Sequence, residues 1–360
     1  MAAAEGYPLL CLENPLLGIF LLKNVSEQLM LIRFLSRYSG SGISNDSTLE
    51  KYGVKANDAI LAEEKHMGLY EDLIQNHDAK LIAGGAAQNT ARGAQYLLAP
   101  NSVLYIGCVG RDKYADILQE ACNKAGLHTE YRVDDVQPTG RCGVIITGHN
   151  RSMVTHLAAA NEYKIDHLKQ PRVWSLVEKA KVYYVGGYHL TVCVPAILAL
   201  AEEAAEKNKT FMLSLSAPFI PQFFKDQLAS VIPYTDYILG NESEALAYAE
   251  SQGWEITDIA EIAKKIASLP KKNTKQPRVV IITQGTDPTI AAVSDEAGNV
   301  QVKQTSVRAI SAEEIYDTNG AGDAFAGGFC AGIVEGKSLE ESVDMGHWLA
   351  SLSIRELGPS

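Results

Sequence analysis

A chain of 360 residues, 46% of them hydrophobic, has enough apolar material for one large α/β domain with a small accessory one, which excludes global disorder. The formal net charge of -11, with Lys and Arg scattered along the chain, leaves no basic footprint for nucleic acid and no cationic face for an anionic membrane. A small-molecule partner is therefore expected.

The N-terminus has no basic region, and Glu5 and Glu13 break its apolar stretches, so it does not read as a secretory signal. Gly18 to Leu35 is apolar, but Lys23, Glu27, Gln28 and Arg33 interrupt it before the ~20 residues that a membrane span needs. Ser39-Gly-Ser-Gly-Ile-Ser-Asn-Asp46 reads as a flexible linker. From residue 79 onward, β-branched or aromatic runs alternate with amphipathic stretches, the pattern of a parallel sheet between helices. Strands are expected at 103–110, 181–187, 210–216, 237–240 and 278–285, and helices at 86–98, 114–125, 194–208, 241–252 and 256–268. Residues 59–82 and 141–157 form a separate small sheet in this reading, closing over the carboxyl ends of the main strands. The cysteines at 11, 108, 122, 142, 193 and 330 show no CxxC pair, and reduced, buried thiols of a cytoplasmic protein are expected.

The strongest local signal is Asp317-Thr-Asn-Gly-Ala-Gly-Asp-Ala-Phe-Ala-Gly-Gly-Phe329, a glycine-rich turn running into an apolar helix. Such a turn exposes the N–H groups of Gly320, Ala321 and Gly322 at the positive end of a helix dipole, where an anion binds. Asp323 sits where a carboxylate can take the proton of an attacking hydroxyl. A plain helix cap explains this segment equally well when it is taken alone. A near P-loop, Ala331-Gly-Ile-Val-Glu-Gly-Lys-Ser338, lacks the first Gly and the preceding strand, and reads as a helix end followed by a new N-cap.

Further segments occur in chain order: Ala83-Gly-Gly-Ala-Ala-Gln-Asn89, Gln137-Pro-Thr-Gly140, Asn150-Arg-Ser152, Leu157-Ala-Ala-Ala-Asn161, Leu215-Ser-Ala-Pro-Phe-Ile220, Gly240-Asn-Glu-Ser-Glu244 and Thr283-Gln-Gly285. Together with the Asp317–Phe329 segment they resemble the ribokinase (PfkB) carbohydrate and nucleoside kinase family, and within it the adenosine kinase branch, from Lys51 to Gly358. The resemblance implies an α/β fold: a ribokinase-like three-layer sandwich with a mostly parallel central sheet, plus a small β-rich lid. It implies Mg²⁺-dependent transfer of the ATP γ-phosphate to the 5′-hydroxyl of adenosine by a monomeric cytoplasmic enzyme, with nuclear entry left open. On the family pattern Asp323 is the base, Gly320, Ala321 and Gly322 form the anion hole, and Arg151 on the lid approaches the transferring phosphate. The adenosine side is implied at Asn14, Leu16, Leu61, Gly85, Asn89, Met153, Leu157, His189 and Asn319. Asn241, Thr283, Gly285 and His347 line the ATP side, and Asn241 with Glu244 organises Mg²⁺ through water, although a capping box explains that pair locally.

One stretch departs from the family. Glu13-Asn-Pro-Leu-Leu17 matches its first-strand motif, but the Asp that the family places next, gripping the ribose hydroxyls, is Gly18 here. Residues 1–17 are read as the first strand region, 18–44 as an atypical insertion, 45–83 and 137–160 as the lid with its flanks, and 84–136 and 161–360 as the nucleotide-binding domain. A sugar kinase of the ribokinase type, and a nucleoside-binding protein weakened by the insertion, stay open as alternatives.

Overall fold

The computed structural model describes residues 6–21, 45–56, 59–77, 79–147, 150–295 and 297–356. Nearly all of the expected insertion and most of the 39–46 linker lie outside the described residues.

Fourteen described strands form two sheets. They are β1 (Leu9–Leu12), β2 (Leu16–Leu21), β3 (Ala59–Leu61), β4 (Lys80–Gly84), β5 (Val103–Gly110), β6 (His128–Asp134), β7 (Arg141–Thr147), β8 (Asn150–His156), β9 (Val182–Val185), β10 (Thr210–Ser214), β11 (Tyr237–Asn241), β12 (Val279–Gln284), β13 (Asp287–Ser294) and β14 (Val300–Thr305). The large sheet has the order β14-β13-β12-β11-β10-β9-β1-β5-β6, parallel except where β13 and β14 turn back antiparallel at one edge. Strands buried on both faces read as continuous apolar runs, and the two-residue period sorts their side chains into two cores. From β1 and β5, Leu10, Leu12, Leu104 and Ile106 enter one core, against the helices Val194–Lys207 and Ile259–Ala267. Leu9, Cys11, Val103 and Tyr105 enter the other, against Ala86–Leu97, Ala321–Val334 and Leu339–Ser353. This is the three-layer α/β sandwich expected from the sequence. The six cysteines are free thiols, five of them buried.

The smaller sheet runs β3-β8-β7-β2-β4. Two expectations change here. Residues 59–82 are not all sheet: between β3 and β4 the segment Leu69–Asn76 is a helix, because Leu69, Tyr70 and Leu73 recur at helical spacing and bury one face. Moreover, β2 continues unbroken through Gly18 to Leu21, pairing Gly18 with Ile82 and Cys142 and Phe20 with Val144. The first four residues read as insertion are thus lid strand. Alternation explains their acceptance: Ile19 and Leu21 fill the lid core, while Leu16, Gly18 and Phe20 face the cleft. No helix among the described residues is long and apolar enough to cross a membrane.

Candidate active site

The cleft is built where the carboxyl ends of the main strands meet the lid, the usual place for a ligand in an open α/β sheet. It holds a cavity of about 1130 Å³.

The helix Ala321–Val334 supplies its floor. Gly320 precedes it at φ +78°, a left-handed turn that favours glycine. Small residues then seat this helix against its neighbours at backbone distance: a Cβ on Gly327 would lie 2.8 Å from the Thr90 carbonyl. The preceding loop is fixed by the buried Asp317, whose Oδ1 accepts the Asn319 N–H at 2.8 Å. Asp323 therefore reaches the cleft from a rigid support. The N–H groups of a helix's first turn have no intrahelical partner, so those of Gly320 and Gly322 are placed to meet an anion. The Ala321 N–H leans instead on the Thr318 carbonyl at 3.3 Å, and Ala321 does not line the cavity as Gly320 and Gly322 do. The near P-loop after this helix is a helix end with Gly336 at φ +70°, followed by Ser338 in a capping box.

Asn89 Nδ2 donates to Asp323 Oδ2 at 2.8 Å. Burial pushes the Asp323 carboxyl up to about 7, and the Asn89 bond holds it from rising further. Two more carboxyls share the cleft. Burial pushes Glu13 up to about 8 and Glu244 to about 7, the charge of Asp323 adding to both. Among the described residues lining the cavity there is no Lys, Arg or His. A group of three or more candidate metal ligands is likewise absent among the described residues.

On the acceptor side, Asn14, Leu16, Leu61, Gly85 and Asn89 line this one cavity, as do Met153, Leu157 and Asn319. Gly85 has to be glycine. Its φ is +102°, and a Cβ would sit 2.5 Å from the Asn14 carbonyl oxygen, so the start of the Ala86–Leu97 helix lies directly on the Asn14–Leu16 backbone. Asn14 Nδ2, Asn89 Oδ1 and Asn319 Nδ2 are buried without a partner among the described residues. Each unpaired buried polar atom costs about 1–3 kcal/mol, so their convergence on one cavity marks the seat of a polar ligand.

His189 is placed differently from the other residues expected on this side. It does not line the cavity but lies behind it, fully buried, with Nδ1 3.3 Å from Asn14 Oδ1 and its ring edge-on to Tyr163 at 5.2 Å. Burial pushes its imidazole down to about 3, so it is a neutral brace for Asn14. Tyr188, one residue earlier, lines the cavity instead.

On the nucleotide side, Asn241, Glu244 and Thr283 line the cavity. Asn241 and Glu244 do form the capping box: Glu244 N–H donates to Asn241 Oδ1 at 2.9 Å, and the Asn241 N–H to Glu244 Oε2 at 3.0 Å. Asn241 Nδ2 also donates to Glu244 Oε1 at 2.9 Å. With both Glu244 oxygens so engaged, the pair suits a hydrated cation better than direct ligation. Gly285 and His347 are not in the cavity wall. Gly285, at φ +59°, turns β12 into β13, and His347 Nε2 lies 2.8 Å from Thr289 Oγ1 beside the Phe325 ring. The backbone of Arg151 lies in β8, but its side chain is outside the described residues.

Of the wall residues not expected from sequence, Glu13 and Phe20 bear most on the chemistry. Glu13 follows the apolar β1 directly, a carboxyl at the end of a central parallel strand, which was the available signal. Phe20 gave none, because one more apolar residue in an apolar strand is unremarked.

Residues 46–360 match the profile of the pfkB family carbohydrate kinases. An adenosine kinase of Schizosaccharomyces pombe is 50% identical over 314 residues, covering 87% of this chain and 90% of the relative, and one of Schizophyllum commune is 45% identical over 99% and 97%. Among solved structures, Anopheles gambiae adenosine kinase in complex with P1,P4-di(adenosine-5) tetraphosphate superposes with a TM-score of 0.87 at 39% identity, over 99% of this chain and 97% of its own. Schistosoma mansoni adenosine kinase in complex with adenosine and AMP gives 0.84 at 34%, over 99% and 98%. By its sequence and its fold, the chain belongs to the pfkB family of carbohydrate kinases.

Proposed function

We propose that this protein is an ATP-dependent adenosine kinase that moves the γ-phosphoryl group to the 5′-hydroxyl of adenosine, giving AMP and ADP, with Asp323 as the base. The observation that carries the reading is the group of unpartnered polar atoms on Asn14, Asn89 and Asn319, gathered around the cavity that holds Asp323. The Asn89 bond leaves the second oxygen of Asp323 to take the hydroxyl proton as the new P–O bond forms. The Gly320 and Gly322 N–H groups receive the charge that develops on the transferred group, a contribution of roughly a hundred- to a thousandfold in rate for comparable donors.

A flat purine suits the rest of the cavity. Leu16, Leu61, Met153 and Leu157 give it an apolar wall, which a free sugar would meet with its hydroxyls unpaired. The donor set fits Mg²⁺ held through water by Asn241 and Glu244, since three carboxyls and no described cation would otherwise repel a polyphosphate. When bound, Mg²⁺ neutralises phosphate charge. Arg151 on the lid completes that neutralisation, and the enzyme works as a cytoplasmic monomer.

A weak nucleoside binder is the second reading, favoured by one observation: Gly18 and Phe20 present no polar group to the acceptor. Initial rates with MgATP and adenosine, ribose or fructose separate the three. Turnover of adenosine alone supports the proposal, turnover of ribose alone refutes it in favour of a sugar kinase, and adenosine binding without turnover supports the weak binder.

A further inference from the structure

Glu13 is 1% exposed and belongs to none of the roles above. Its Oε2 accepts the N–H of Ala87 at 2.8 Å, in the first turn of the helix Ala86–Leu97. Asn89, two residues on, donates to Asp323. Oε1 is packed against Gly186, where any Cβ would collide with it; among the described residues it makes no well-formed hydrogen bond, and the Tyr188 N–H is the other backbone donor close to this carboxyl. The Glu13 backbone is held too, its carbonyl accepting the Tyr105 hydroxyl at 3.0 Å. A carboxyl clamped on one oxygen to the helix that carries Asn89, with space for it kept by a missing side chain, is placed to set that helix.

We propose that Glu13 is a positioning residue for Asp323, fixing the helix that carries Asn89, and that it does so as the neutral acid, so the base holds the only charge between them. The inference rests on the reading of Asp323 as the base. The proton belongs on Oε1, because Oε2 is the acceptor of the Ala87 N–H. An unpaired ionised oxygen in a buried site costs far more than an unpaired hydroxyl. The groups facing Glu13 agree. They are Cys11 from β1, Tyr105 from β5, Tyr184 from β9, Tyr188 just after β9, and Asp323, and none is a cation. The helix Ala86–Leu97 brings no acid in its first turn. The only carboxylate among these groups is Asp323, and burial with that charge outweighs the Ala87 and Tyr188 N–H groups, which lower it, and pushes Glu13 up to about 8.

The test compares the full chain with Glu13→Gln and Glu13→Ala. In the infrared, the full chain minus Glu13→Gln should show a protonated-carboxyl band at pH 6.5 that fades as the pH rises through about 8. In the pH profile of kcat for adenosine, the full chain should lose activity on that same alkaline limb. Glu13→Gln, a neutral amide of the same shape, should keep kcat within threefold at pH 7 and lack the limb. Glu13→Ala, without the clamp, should lose at least tenfold in kcat with the adenosine KM within threefold. Absence of the infrared band, or an alkaline limb that persists in Glu13→Gln, overturns the proposal. The band is read without turnover, so a chain that phosphorylates no nucleoside would sink the kinase reading and still leave the state of Glu13 decided.

Discussion

Gly18→Asp puts a carboxylate back on the cleft face of β2, where the family resemblance places one against the ribose hydroxyls. The backbone permits it, since Gly18 is paired strand with no left-handed φ. Space is the obstacle: a Cβ at residue 18 would lie 2.5 Å from Phe20 Cε2 and 3.3 Å from the Ile82 carbonyl oxygen. The obstacle is the far end of a ring that can turn, at a cost of roughly 0.5–1.5 kcal/mol if it leaves its preferred rotamer. A hydrogen bond from a hydroxyl to a charged acceptor gains about 1.5–3 kcal/mol. The difference runs from about 0 to 2.5 kcal/mol and centres slightly above 1 kcal/mol, a rise of roughly five- to tenfold in kcat/KM for adenosine. Gly18→Asp combined with Phe20→Ala should exceed the single change, because the ring no longer has to move. The assay is steady-state phosphorylation of adenosine with 2′,3′-dideoxyadenosine as the control, which has no diol to grip. If Gly18→Asp raises both substrates equally, or leaves adenosine unchanged while the double variant also fails to rise, this face of β2 does not meet the sugar.

The free-enzyme rate should follow the ionisation of Asp323. Burial raises that carboxyl, so kcat/KM should climb as pH rises through about 7, tenfold per unit below it. Asn89→Ala removes the bond that lowers it, so the same limb should move to higher pH; an unmoved limb would separate Asn89 from the base. Glu244→Gln should raise the Mg²⁺ concentration needed for half-maximal rate about tenfold without changing the adenosine KM, measured by titrating Mg²⁺ at fixed ATP; an unchanged requirement would leave Glu244 as a cap alone. Arg278, fully buried, donates to the carbonyls of Ile232, Thr235, Leu269 and Pro270, tying the start of β12 to two loops. Arg278→Met should cost about 3–5 kcal/mol in urea unfolding, with little change in kcat of the folded fraction.

Much of this was legible in the sequence, for reasons that individual residues show. The strand at 103–110 was read to the residue because a fully buried strand is one unbroken apolar run bounded by turn residues. The helix Ile259–Ala267 followed from Ile262, Ala263, Ile266 and Ala267 on one face. What failed was what local pattern does not encode. The Leu69–Asn76 helix is eight residues, too short to stand out between two strands of the same sheet. His189 was placed by a family position, but whether a side chain enters a cavity or backs its wall depends on a one-residue rotation in the turn after β9, which brings Tyr188 forward. Glu13 went unread because an acidic residue after an apolar strand is ordinarily solvated; here Gly186 leaves room for it inside.

The central claim is that Asp323 is the base, and kcat of Asp323→Asn tests it most directly, with adenosine binding measured alongside by calorimetry. The amide can still accept from Asn89 after a flip but cannot take the hydroxyl proton, so kcat should fall by about a hundred- to ten-thousandfold while the adenosine Kd changes less than about threefold. A variant that phosphorylates adenosine within tenfold of the unaltered chain, at intact binding, would contradict the account.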